Sequence, residues 1–70
     1  MSYIKLTEVY KDSNSIDCKR VSYYAIGNII LFSHKKEGST IWLKYPISDC
    51  CNFIVKESPE EILKLIKEAE

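Results

Sequence analysis

A chain of 70 residues has room for one domain and one modest core, and a domain of that size buries only about 60% of the surface its unfolded chain exposes. An apolar fraction of 46% beside 29% charged residues is that of a globular protein and excludes disorder. Ten basic and ten acidic residues cancel, so no long-range field gathers nucleic acid or an anionic membrane, and neither is expected as a partner.

Residues 3–10 alternate as a strand, with Ile4 and Leu6 on one face and Tyr3, Lys5, Thr7 and Val9 on the other. Residues 11–15 (Lys, Asp, Ser, Asn, Ser) have turn composition. A second extended piece begins at 16–18 with Ile16 and Cys18 inward, and Lys19-Arg20 is expected to interrupt it. Residues 21–26 and 29–33 then read as two strands around a tight turn at Gly27-Asn28.

The polar connection Lys35-Lys36-Glu37-Gly38 predicts a hairpin. The strand after it alternates Ile41, Leu43 and Tyr45 against Thr40, Trp42 and Lys44. Pro46 is expected to end that strand, with 47–51 a loop before a last strand at 52–56, where Phe53 and Val55 oppose Ile54.

The last sixteen residues (55–70) announce a helix over 59–69. Ser58 serves as N-cap, Pro59 as first helical residue and Glu61 as the third-position carboxylate of a capping box reaching back to the Ser58 amide. Ile62, Leu65, Ile66 and Ala69 form one apolar stripe with Leu63 beside it, and Glu60, Lys64, Lys67 and Glu68 point away. Strands first and helix last predict a single α+β domain over 1–70. It should be a mainly antiparallel sheet of four to five strands within 3–56, open or closed into a barrel, followed by one C-terminal helix.

No constellation rises to chemistry. Glu60 and Glu61 diverge on neighbouring helix positions and are explained by capping and the helix dipole. Ser33 and the sole histidine, His34, alternate to opposite faces of a strand. Three cysteines, two of them adjacent at Cys50 and Cys51, read as free thiols, and no CxxC pair points to zinc. Asp49-Cys50-Cys51 contains no basic group to lower a thiol pKa. No catalytic residue, cofactor or metal is expected, and there is no Gly-rich phosphate loop. No apolar run approaches the roughly 18 residues of a membrane span, and the N-terminus has no export-signal pattern, so the cytoplasm is the expected location.

The segment Phe53-Ile-Val-Lys-Glu-Ser-Pro-Glu-Glu-Ile-Leu-Lys-Leu-Ile, the opening Tyr-Ile-Lys-Leu-Thr at 3–7, and Gly38 to Leu43 resemble the FlbD/SwrD-type family of small bacterial flagellar and swarming-motility proteins, which includes phage and mobile-element relatives. The three patches cover somewhat under half the chain. The middle differs, with 46–51 where the family tends to a shorter connection and Lys19-Arg20 where it often has Asn-Pro. The resemblance implies a non-enzymatic accessory protein, and it carries structural roles to Ile4, Leu6, Ile41, Leu43, Val55, Ser58 and Glu61.

Two functional expectations follow. One is a protein-binding role, including self-association into a homo-oligomer, since 29–32 is apolar on both faces and one helix covers only one face of a sheet. Its contacts would be Ile30, Phe32, Trp42 and Tyr24. The other is a phage-type ligand-binding module that captures a nucleotide or masks a host factor through the basic pairs Lys19-Arg20 and Lys35-Lys36. The structural residues common to both are Ser58, Glu61, Ile62, Leu65 and Ile66.

Overall fold

The computed structural model describes residues 2–36 and 38–69. Among them lie five strands, β1 (Tyr3–Lys11), β2 (Asp17–Ala25), β3 (Ile29–Lys35), β4 (Gly38–Ile47) and β5 (Cys50–Val55), with a 3₁₀ turn at Ile26–Asn28 and a final helix α1 (Pro59–Ala69). The strand order is β2-β1-β5-β4-β3 and every adjacent pair is antiparallel. β2 and β3 are therefore opposite edges, and the sheet is open rather than closed into a barrel.

β1 and β2 form a hairpin paired along its whole length, from Tyr3↔Ala25 to Lys11↔Asp17. Its turn is held by the Asp12 carboxylate, whose Oδ1 accepts the amides of Asn14 at 2.8 Å and Ile16 at 3.0 Å, while Ser15 takes φ 62°. The expected break at Lys19-Arg20 does not occur. Cross-strand pairing carries β2 through both cations by sending them to opposite faces. Ile16, expected inward, is 59% exposed because it lies in the turn, and Cys18 is half-buried.

Gly27-Asn28 does not join two paired strands. The 3₁₀ turn instead carries the chain from one edge of the sheet to the other. Ile26 N–H donates to the Ser2 carbonyl at 3.0 Å, and the Asn28 side chain both accepts from Tyr45 N–H at 2.7 Å and donates to Tyr45 C=O at 3.0 Å. These bonds tie the crossover to the start of β1 and the end of β4. An apolar run on either side of Gly-Asn gives no hint of this, since both topologies bury the same residues locally.

The hairpin between β3 and β4 forms as expected, closed by Lys35↔Gly38, and Glu37 lies outside the described residues. Ile41 and Leu43 are buried, but Tyr45 is 64% exposed, beyond the last β3 pair at Leu43. Pro46 does not end β4. The β4–β5 register jumps from Trp42↔Asn52 to Ile47↔Cys50, so the absent proline amide removes no ladder bond. The expected loop at 47–51 is a tight hairpin, with Ser48 at φ 50° and Asp49 at φ 65°, the signature of a two-residue primed turn.

Ile62 seats α1 on the sheet and is fully buried, with Leu65, Ile66 and Ala69 packed beside it and Leu63 exposed. The core beneath comprises Ile4, Leu6, Tyr24, Ile41, Leu43 and Val55. The link into the helix is stitched to the sheet by Ser39 Oγ donating to Glu57 C=O at 2.8 Å, Thr7 N–H donating to Glu57 Oε1 at 2.9 Å and Lys56 N–H donating to Thr7 C=O at 2.8 Å.

The N-cap is present, with Glu61 N–H donating to Ser58 Oγ at 3.2 Å. The reciprocal arm differs from the expected box: the Glu61 carboxylate takes the Ser58 hydroxyl at 3.4 Å rather than the Ser58 amide. Ser58→Ala should therefore cost about 1 kcal/mol, the usual value of a lost N-cap. Chemical denaturation measures it, and an unchanged midpoint would mean that the cap contributes nothing.

Candidate binding surface

Strand alternation splits the sheet into two unlike faces. Ile4, Leu6 and Glu8 of β1 turn toward α1 and the core, while Tyr3, Lys5, Thr7 and Val9 turn away, and the partner residues on β2 follow the same parity. On the side away from the helix, Tyr3, Val21, Tyr23, Trp42 and Ile54 are all exposed. Much of that apolar surface is aromatic.

The four expected apolar contacts separate. Trp42 is 41% exposed on the uncovered face and Ile30 is 66% exposed at the register shift between Ile29 and Leu31 on the β3 edge. Tyr24 is instead 3% exposed, packed against Phe53 with ring centroids 5.9 Å apart, and Phe32 packs against the core. Phe32↔Ile41 and Ile4↔Tyr24 pairing puts both aromatics on the helix side, so neither can belong to a free surface. Burial pushes the Tyr24 phenol above its ordinary pKa, with the nearby Glu8 carboxylate adding to the shift. The side chain of Leu31 lies outside the described ones.

The basic residues separate as well. Lys19, Lys35 and Lys36, drawn from two distant parts of the sequence, line one groove together with Lys56, Asp17, Val9, Ile54 and Gly38. Its volume is about 720 Å³, within the range of ligand clefts. The seam explains the opening: β1 and β5 share the single register pair Glu8↔Val55, so Val9 and Ile54 are left as an apolar floor between the β1–β2 hairpin and the β3–β4–β5 meander. Among the described residues the one acidic group in the lining is Asp17, which already holds Lys11 at 2.6 Å, and that hydrogen bond and charge pull its carboxyl below the usual range.

Arg20 does not join them. Paired with Glu8 across β1 and β2, it faces the helix side, its Nη2 and Nε donating to Glu8 Oε1 at 3.0 and 3.3 Å. Its guanidinium also lies 4.7 Å above the Tyr10 ring. Hydrogen bonding and charge from Glu8 raise the Arg20 pKa further. The pair has a structural role, because Glu8 is 7% exposed and a buried carboxylate is costly unless paired.

Sequence reasoning missed Lys56 and the groove floor. Lys56 follows the inward Val55 by one residue, and strand alternation alone would have placed it beside Ile54. The Glu8–Arg20 pair was hidden until the β1–β2 register was known. Among the described residues no cluster of histidine, cysteine, aspartate or glutamate could hold a metal ion, and no helix is long and apolar enough to cross a membrane. Cys18 is half-buried, and Cys50 and Cys51 are exposed; all three are unbridged. No protein-family model matches the chain, and neither a curated protein nor a solved structure matches it.

Proposed function

We propose that this chain is a non-enzymatic accessory protein that binds an acidic segment of a protein partner in the groove between its β1–β2 hairpin and its β3–β4–β5 meander. The observation that carries the reading is the convergence of Lys19, Lys35, Lys36 and Lys56 on an apolar floor of Val9 and Ile54, in a chain whose net charge is zero. Four cations around two aliphatic side chains complement a segment with several carboxylates and one apolar anchor. The exposed aromatics on the same face give such a segment a surface along which to continue.

A nucleotide is a poorer match. Among the described residues the floor is aliphatic, with no aromatic ring to stack a base, the lining cations are point-charge lysines rather than an arginine fork, and no helix N-terminus lines the groove. The FlbD/SwrD-type resemblance supports a non-enzymatic accessory role.

Fluorescence anisotropy with a labelled glutamate-rich peptide carrying one central leucine tests the reading. Binding should weaken as salt rises, since exposed charges are screened within about 10 Å at 0.1 M. The double variant Lys35→Glu, Lys36→Glu should weaken it by about tenfold or more, through like-charge repulsion. Lys44→Glu, outside the groove, should leave it unchanged. Failure of the peptide to bind, equal weakening by Lys44→Glu, or tighter binding of ATP or single-stranded DNA than of the peptide would overturn the proposal.

A further inference from the structure

The two edges of the sheet are protected unequally. β3 has a register shift between Ile29 and Leu31 and ends in His34 and Lys35, with Lys36 following, which are features that discourage strand addition. β2 has no such shift, and of its two cations, Lys19 and Arg20, the second is held by Glu8 on the neighbouring strand. Its nine residues, Asp-Cys-Lys-Arg-Val-Ser-Tyr-Tyr-Ala, pair with β1 without a shift and contain neither proline nor glycine, leaving a long, regular edge with unpaired backbone groups.

We propose that β2 pairs antiparallel with β2 of a second copy, about a two-fold axis at Val21, to make a continuous ten-stranded sheet. The occupant is specified by the strand's own sequence. A two-fold antiparallel pairing that uses the whole of Asp17–Ala25 must centre on its midpoint, residue 21, so that paired residue numbers add to a constant. That register sets Val21 against Val21, Lys19 against Tyr23, Arg20 against Ser22, Cys18 against Tyr24 and Asp17 against Ala25. No like charges sit directly opposite each other; the diagonal pair is Arg20 and its copy, each already held by its own Glu8.

Registers centred nearer the start of the strand are worse. Centring on Lys19 or Arg20 places two identical cations opposite each other and shortens the ladder. In the Val21 register the exposed apolar residues find partners: Val21 is 54% exposed and Tyr23 66% exposed, and each Tyr23 ring meets a Lys19 ammonium from the other copy. The contact is isologous and uses up the β2 edge of both copies. Growth stops at two because the remaining edges are the protected β3 strands. The pairing rests on the edge and not on the groove reading, although Lys19 near the axis places the two grooves on the same side of the joined sheet.

Sedimentation over micromolar to millimolar concentration tests this, with circular dichroism to monitor the fold. The wild type should pass from 8.1 kDa to twice that mass as concentration rises. Val21→Lys places like charges on the axis at an exposed site and should give a monomer throughout, with an unchanged spectrum. Ile30→Lys, on the other edge, should dimerise as the wild type does. A second readout is hydrogen exchange, in which β2 amides should gain protection as the dimer forms. A single 8.1 kDa species at every concentration, or a dimer that survives Val21→Lys or is dissociated by Ile30→Lys, would overturn the proposal. Loss of peptide binding with the dimer intact would count against the groove alone.

Discussion

Gly38→Ala should unfold the protein, while Gly27→Ala should leave it almost unchanged, although these are the only two glycines in the chain. Gly38 adopts φ +114°, and a Cβ there would overlap the Val55 carbonyl oxygen and sit 2.8 Å from the carbonyl oxygen of Lys56. Both obstacles are backbone and cannot rotate away. Val55 is fully buried, its strand neighbour across β4 is Ser39, and Ser39 Oγ holds the Glu57 carbonyl, so the collision lies where β4, β5 and the helix link cross. A positive φ alone costs an alanine about 1–3 kcal/mol, and displacing core backbone adds to that. A single core of this size rarely supplies more than about 3–5 kcal/mol, so little or nothing would remain. At Gly27 nothing lies within 4 Å of the added carbon, and a change within about 0.5 kcal/mol is expected. Thermal unfolding of the two variants side by side decides the matter, and a cooperative transition near the wild-type temperature for Gly38→Ala would mean that the crossing is looser than described.

The same glycine shows what sequence reasoning could and could not reach. Its place in a polar four-residue connection made the β3–β4 hairpin legible, and period-2 alternation put Ile4 with Leu6 and Ile41 with Leu43 on common faces, where all four, with Val55, are buried. Capping chemistry and a 3.6-residue stripe fixed the helix at Pro59–Ala69. Those signals are local. The strand order is not, and Gly27-Asn28 read as a hairpin turn because the partners of the 3₁₀ turn, Ser2 for Ile26 and Tyr45 for Asn28, are distant in sequence. Pro46 misled for a related reason: proline terminates a strand only where its amide would be needed, and whether it is needed depends on the neighbouring strand. The binding surface was half legible. Lysines at 19, 35 and 36 were singled out, but only the narrow β1–β5 seam shows that they converge, that Lys56 joins them, and that Arg20 turns to the opposite face to neutralise Glu8.

Neighbouring residues on β4 offer the sharpest test of the two-faced sheet. Ile41 is fully buried beneath α1, while Trp42, the next residue, is 41% exposed on the uncovered face. Ile41→Ala should cost about 2–5 kcal/mol, from lost transfer energy and the cavity left where Phe32 and Phe53, its partners on the flanking strands, cannot collapse inward. Against the few kcal/mol that a domain of this size holds, that leaves a largely unfolded population at room temperature. Trp42→Ala removes a far larger side chain yet should cost much less, within about 1 kcal/mol, because a surface position has no cavity to leave and loses only partial contacts. The inversion of size and effect is the point of the comparison: residue volume alone orders the two variants one way and burial orders them the other. Urea denaturation of both reads the difference directly. Equal losses would mean that Trp42 is packed against something in the native protein, so that this face is covered rather than open, and the acidic-segment proposal would then have to give up its extension beyond the groove.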